Sequence, residues 1–178
     1  MLPSLSMQWY ALHTKSRAEK MVEQRLAASR VEVFLPQVTV ASRRQDRKLM
    51  LRLPLFPGYL FVKSDLSPAQ HLSILKVSGA VGLVGAAKMP VAVPDDTIES
   101  LRILVCSPEV VTGRRLEKGE LVRVARGPLA GLTGVFSRYK GADRVVVEVE
   151  ALGQFAAVQV STDDLEPLGT RQNSLTFY

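Results

Sequence analysis

The spacing of apolar residues changes character several times along the chain. Residues 7–14 are aromatic, compact and free of Gly and Pro, which predicts a first strand. Ala18, Met21, Val22, Leu26 and Ser29 then recur at helical spacing and predict a helix over about 17–29. Arg17, Glu19, Lys20, Glu23 and Gln24 fall on its wet side. Ser16 and Glu19 match the S-x-x-E capping box, in which the hydroxyl accepts from an N–H of the first turn and the carboxylate reaches back to the cap. Residues 31–35 and 37–41 read as extended segments broken by Pro36. A charged run over 42–52 reads as a hairpin tip or loop, and 55–62 as a buried strand behind Pro54 and the Pro57-Gly58 turn.

Further on, Asp65 or Ser67 can cap a short helix with Pro68 in its first turn. Leu72, Ile74 and Leu75 form the apolar side of that helix, and Gly79 stops it. Residues 80–86 predict another strand. Pro94, Asp95 and Asp96 open a last helix carrying Ile98, Leu101 and Val105, with its acids where the helix dipole favours them. The segment 107–116 has weak periodicity and reads as a linker. Beyond it the texture is all β. Short alternating runs at 121–124, 135–136, 145–149 and 155–160 recur about every ten residues between glycine-rich turns, which predicts a small β-barrel. Residues 169–178 read as a polar tail.

The domain organisation expected is therefore an α/β unit over 7–106, a linker over 107–116, a β-barrel over 117–168 and a tail over 169–178. The fold class is α+β, with a small, mostly antiparallel sheet flanked by helices ahead of the barrel.

Charge sharpens this picture. The net charge is +6, and all of it lies in the first part: 14 Lys+Arg stand against 8 Asp+Glu in residues 1–106, and 9 against 9 in residues 107–178. A polyanionic partner, if there is one, is expected at the first unit. Arg43, Arg44, Arg47, Lys48 and Arg52 form the densest basic run, suited to following phosphates. The single cysteine, Cys106, excludes an internal disulfide and sits in an apolar stretch that reads as buried. No apolar run approaches the roughly 18 residues needed to span a bilayer, and the first residues do not resemble a signal peptide, so a cytoplasmic location without membrane contact is expected.

Enzyme chemistry finds little support. There are two histidines, His13 and His71, no zinc-ligand spacing and no carboxylate pair singled out for acid–base work. The glycines of 79–85 lack the spacing of a dinucleotide or phosphate loop. No cofactor or metal is expected.

Two stretches carry a family resemblance. Residues 118–135, with Gly127, Pro128, Leu129, Ala130 and Gly131 between two strands, resemble the KOW motif. Trp9-Tyr10 on the first strand, Lys15 with the following helix, and the run Pro54-Leu55-Phe56-Pro57-Gly58-Tyr59-Leu60-Phe61-Val62 resemble the N-terminal domain of the NusG family of transcription factors. The resemblance spans about 7–168, in the family's domain order. The Pro54-Leu55-Phe56 lead-in and the stretch 90–98 look more like a specialised paralog, RfaH-like or a polysaccharide-operon antiterminator.

The resemblance implies a transcription elongation and antitermination factor, working as a monomer, that binds bacterial RNA polymerase. His13, Tyr59 and Phe61 are expected to dock on the clamp helices, and Gln70, His71 and Ser73 to touch the opposite rim of the cleft. Trp9 and Phe56 are expected in the core. Lys15, Arg17 and Lys20, with the basic run 43–52, would face non-template or upstream DNA. Gly127, Pro128, Leu129, Ala130 and Gly131 would recruit a partner, a small-subunit ribosomal protein in preference to the Rho terminator. Leu129 stands where many members have Phe, which weakens the case for Rho. Alternating valines and the many glycines of the second unit predict strands rather than a helical hairpin. A KOW-containing RNA-binding ribosomal or ribosome-assembly protein is the alternative.

Overall fold

The computed structural model describes residues 6–42, 49–86, 89–107, 110–113, 119–139 and 141–170. They form two compact units, one of residues 1–98 with 150–152 and one of residues 99–149 with 153–178. The architecture is α+β, as the hydrophobic pattern predicts.

In the first unit the order is β1 (Gln8–Thr14), α1 (Glu19–Ala28), β2 (Val33–Phe34), β3 (Gln37–Ala41), β4 (Met50–Pro54), β5 (Tyr59–Ser64), α2 (Pro68–Leu75), β6 (Ala80–Leu83), β7 (Gly85–Ala86), β8 (Met89–Pro90), β9 (Ala92–Val93) and the start of α3 (Asp95–Leu104). The main sheet runs β2-β5-β1-β6, with β9 also paired to β1; the pairings are antiparallel. β3 and β4 form a separate two-stranded ribbon.

Alternation along β1 and β5 divides the sheet into two faces. Tyr10 and Leu12 of β1 and Leu60 and Val62 of β5 point to one side. There they pack with Val22 and Leu26 of α1 and Ile74 of α2. Val22 and Leu26 are fully buried, each contributing roughly 1.5–3 kcal/mol by leaving water. On the opposite side stand Trp9, Ala11 and His13, in register with Lys63, Phe61 and Tyr59. Trp9, Ala11 and Phe61 are buried there as well. The Phe61 ring stacks on Phe34 at 6.1 Å and meets Phe56 edge-on at 6.4 Å. The Lys63 ammonium lies 5.7 Å from the centre of the Trp9 ring.

Several details depart from expectation. The capping box does not form: α1 starts at Glu19, its N-cap is Ala18, and no side chain caps it. Arg17 instead takes a left-handed turn at φ 61°, closed by Ala18 N–H donating to the Lys15 carbonyl at 3.0 Å. In α2 only Ile74 is buried, while Leu72 and Leu75 are exposed, because the sheet meets one narrow stripe of this short helix. The Cys106 thiol is exposed rather than buried, since it follows the last turn of α3 instead of lying on its covered stripe. Ser67, not Asp65, caps α2, accepting from Gln70 N–H at 3.4 Å; Asp65 accepts from Ser67 N–H at 2.8 Å.

The second unit is a six-stranded antiparallel sheet in the order β10-β14-β13-β12-β11-β15. Its strands are β10 (Val110–Gly113), β11 (Glu120–Val124), β12 (Thr133–Tyr139), β13 (Ala142–Val149), β14 (Gln154–Gln159) and β15 (Leu165–Thr170). Val110–Gly113 lies in the segment read as a linker and pairs with β14 from Val110↔Val158 to Gly113↔Phe155. Its local periodicity is weak because it gains its hydrogen bonds from a partner more than forty residues away. Val146, Phe155 and Ala157 form a buried cluster. No helix among the described residues is long and apolar enough to cross a membrane.

Candidate interaction surfaces

The C-terminal end of β1 is where the covered sheet face opens. His13 is exposed and Tyr59 half-exposed, and as direct cross-strand partners their rings stack at 5.1 Å. Phe61, expected beside them, is wholly buried. Alternation does place it on the His13 side, but Phe34 and Phe56 cover that side two residues along the strand. Phe61 is therefore a core residue and is removed from the docking set. Trp9 and Phe56 are buried, as expected.

The stacked rings are positioned by the Pro57-Gly58 turn. Gly58 has φ 84°, a conformation open to glycine and costly for other residues. Its N–H donates to the Glu19 carboxylate at 2.8 Å, and its carbonyl accepts from Thr14 N–H at 2.8 Å. Glu19 is itself buried, so the sequence-based placing of it on the wet side of the helix is also corrected.

Next to this turn lies a groove of about 710 Å³. Leu53, Pro54 and Pro57 supply apolar wall, while Arg17, Lys20 and His13 supply nitrogen-bearing side chains. Thr14 lines it too, and its hydroxyl is buried without a hydrogen-bond partner among the described residues. Lys15, Arg17, Lys20 and Arg52 are all exposed. Lys20 and Arg52 both act on the Glu23 carboxylate, which brings the ribbon base and α1 into one electrostatic neighbourhood. Burial nevertheless pushes the Glu23 carboxyl above its usual range, against the pull of those two cations. Arg43, Arg44, Arg47 and Lys48 lie outside the described residues.

The rim set is less available than expected. Gln70 Oε1 accepts from Ser64 Oγ at 2.9 Å and from Asp65 N–H at 3.4 Å, which commits this side chain to tying β5 to α2. Ser73 is exposed, but its hydroxyl donates to the Gln70 carbonyl at 2.9 Å. His71 is half-buried. These residues lie along α2, outside the sheet rows that hold the His13–Tyr59 pair.

In the second unit, 127–131 form a hydrogen-bonded turn between β11 and β12. Ala130 N–H donates to the Gly127 carbonyl at 3.1 Å, and Gly131 N–H to the Val124 carbonyl at 2.9 Å. Gly131 sits at φ 91°, the backbone freedom the motif implies. Gly127, Pro128, Ala130 and Gly131 are exposed and Leu129 half-buried. Sequence reading missed Arg126, whose guanidinium donates to the Asp163 carbonyl and pairs with Asp164 at 3.6 Å, bracing the turn against the segment before β15. The last turns of α3 belong to this unit. Ser100 Oγ accepts from Thr133 N–H at 3.1 Å, and Ile103 Cδ1 lies 3.4 Å from where a Cβ on Gly131 would stand.

A helix-backed antiparallel sheet with an open ring pair, followed by a six-stranded β unit, defines a two-part α+β protein whose geometry is that of a binding module. A family model described as "Transcription termination factor nusG" matches residues 7–102. The chain is 30% identical to the transcription termination/antitermination protein NusG of Thermus thermophilus, covering 82% of this chain and 91% of that protein. It is 29% identical to the Deinococcus radiodurans protein of the same name, covering 88% and 96%. A solved structure described as "Domain interaction in Thermotoga maritima NusG" shares the fold, with a TM-score of 0.53 at 21% identity over 92% of this chain and 98% of that one. The chain belongs to the NusG family.

Proposed function

We propose that this chain is a transcription elongation and antitermination factor that binds RNA polymerase and is not an enzyme. Its first unit docks on the polymerase clamp helices through His13 and Tyr59. The observation that carries this reading is the exposed His13 ring stacked on Tyr59, on a sheet face that is otherwise covered at Trp9, Ala11 and Phe61. An accessible aromatic pair held rigidly on two strands suits a hot spot, because little side-chain freedom is lost on binding. By holding the clamp in the form it takes during elongation, the factor favours that state over the paused one through differential affinity.

Lys15, Arg17, Lys20 and Arg52, with Arg43, Arg44, Arg47 and Lys48 of the adjoining segment, contact non-template or upstream DNA. The confinement of net positive charge to residues 1–106 supports this assignment. His71 remains a candidate for the second rim of the cleft. The turn Gly127, Pro128, Leu129, Ala130 and Gly131 recruits a small-subunit ribosomal protein. The specialised-paralog role rests on the Pro54-Leu55-Phe56 and 90–98 stretches, and the cytoplasm is the compartment in which all these partners meet.

The test is association of the purified chain with transcribing polymerase, compared with His13→Ala and Tyr59→Ala. Retention of the parent and loss of both variants supports the reading. Co-purification with ribosomal subunits and not with polymerase would favour a ribosomal KOW protein instead.

A further inference from the structure

The strand beside His13 carries a glycine that no contact among the described residues requires. β6 is the last strand in the order β2-β5-β1-β6. Its register with β1 is Leu12↔Leu83, His13↔Gly82 and Thr14↔Ala80, so Val81 is the extra residue at an irregularity. Leu83 packs against the helix-covered core, as its partner Leu12 does. Gly82, one residue back and opposite His13, belongs to the other face. Tyr59, His13 and Gly82 thus stand in one row across three adjacent strands.

A Cβ built on Gly82 would meet no atom of the described residues within 4 Å, and its φ lies outside the left-handed region. Neither close packing nor backbone conformation explains a glycine here. The adjacent irregularity does not need one either, since the glycine-dependent bulge uses a left-handed residue. A strand-interior glycine weakens its strand, and the remaining physical reason to keep one is close approach by another molecule. Strands lie 4.7–4.9 Å apart, so the row is about 10 Å wide, comparable with the roughly 10–12 Å diameter of an α-helix. Tyr59 flanks His13 on one side, and half-buried Gly82 puts no side chain on the other.

We propose that Gly82 is a specificity-determining seat: a helix of the polymerase lies across the row and sets an aliphatic side chain over Gly82, against the His13 ring. The inference rests on the docking reading of His13 and Tyr59. The missing side chain sets the depth of the seat, and a β-branched residue there fills it.

The experiment compares the full chain with Gly82→Ala, Gly82→Val and His13→Ala, measuring thermal melting and affinity for reconstituted elongation complexes. Gly82→Val is expected to melt at or above the parent and to bind at least tenfold more weakly, with Gly82→Ala in between. If Gly82→Val binds like the parent while His13→Ala is weakened, the seat is overturned and the docking reading stands. If neither is weakened, both fall. If Gly82→Ala melts well below the parent, the glycine serves the fold and the seat is overturned. Should Gly82→Val fail to fold, Gly82→Ala decides alone: weaker binding at unchanged melting supports the seat, and unchanged binding removes it.

Discussion

The Glu19 carboxylate accepts the Gly58 N–H at 2.8 Å, across 39 residues of sequence. This one bond joins the start of α1 to the turn that delivers Tyr59 to His13. Removing it with Glu19→Ala leaves a part-buried donor unmade, a cost of about 1–3 kcal/mol. Glu19→Gln keeps an acceptor oxygen and should lose less. Thermal melting checks the stability, and the weaker variant should also lose polymerase affinity as the turn loosens.

His13 and Phe61 test the division of the sheet face. Phe61→Ala should cost about 3–5 kcal/mol, as expected for a buried ring whose cavity cannot fully collapse. His13→Ala should change stability by no more than about 0.5 kcal/mol, as at other exposed sites, while weakening polymerase binding. Denaturant unfolding and a binding titration on both variants separate the two roles.

Thr14→Val should stabilise the protein. The hydroxyl is buried and unpartnered among the described residues, so replacing it with a methyl removes a desolvation cost of about 1 kcal/mol at near-constant shape. A lower melting temperature would mean that the hydroxyl has a partner in solution.

Glu23 gives a pH-dependent prediction. Burial raises its folded-state pKa, so the folded chain holds this proton more tightly than the unfolded chain. The favourable contribution is present in acid and is lost as pH rises through the raised value. Glu23→Gln should therefore melt above the parent at neutral pH, and the gap should narrow as pH falls into the ordinary carboxylate range. Melting curves across that range check the sign.

Replacing Arg43, Arg44 and Arg47 together by Ala should weaken binding to the elongation complex. It should also flatten the dependence of log affinity on log salt by about 0.7–0.9 for each phosphate that is no longer neutralised. An unchanged slope would take these residues out of DNA contact.

Much of this architecture can be read from local pattern. The helical spacing of Val22 and Leu26, the alternation of β1 and β5, the Ser67-Pro68 start of α2 and the repeating short strands of the second unit all depend on near neighbours, and periodicity records near neighbours directly. The ring pair at His13 and Tyr59 and the turn at Gly131 follow from the same local signals joined to the family motif. What residues far apart in sequence do to one another was not legible. Alternation puts Tyr59 and Phe61 on one side of β5, but only tertiary packing brings Phe34 and Phe56 over Phe61 and leaves Tyr59 open. Glu19 has the spacing of a capping residue, yet it serves Gly58, because a buried carboxylate goes to the donor the fold presents and not to the nearest one in the chain. Val110–Gly113 has no strong strand pattern of its own and becomes a strand because β14 supplies its ladder. Sequence spacing sets which way a side chain points; whether it meets water or protein there depends on segments that fold onto it from elsewhere.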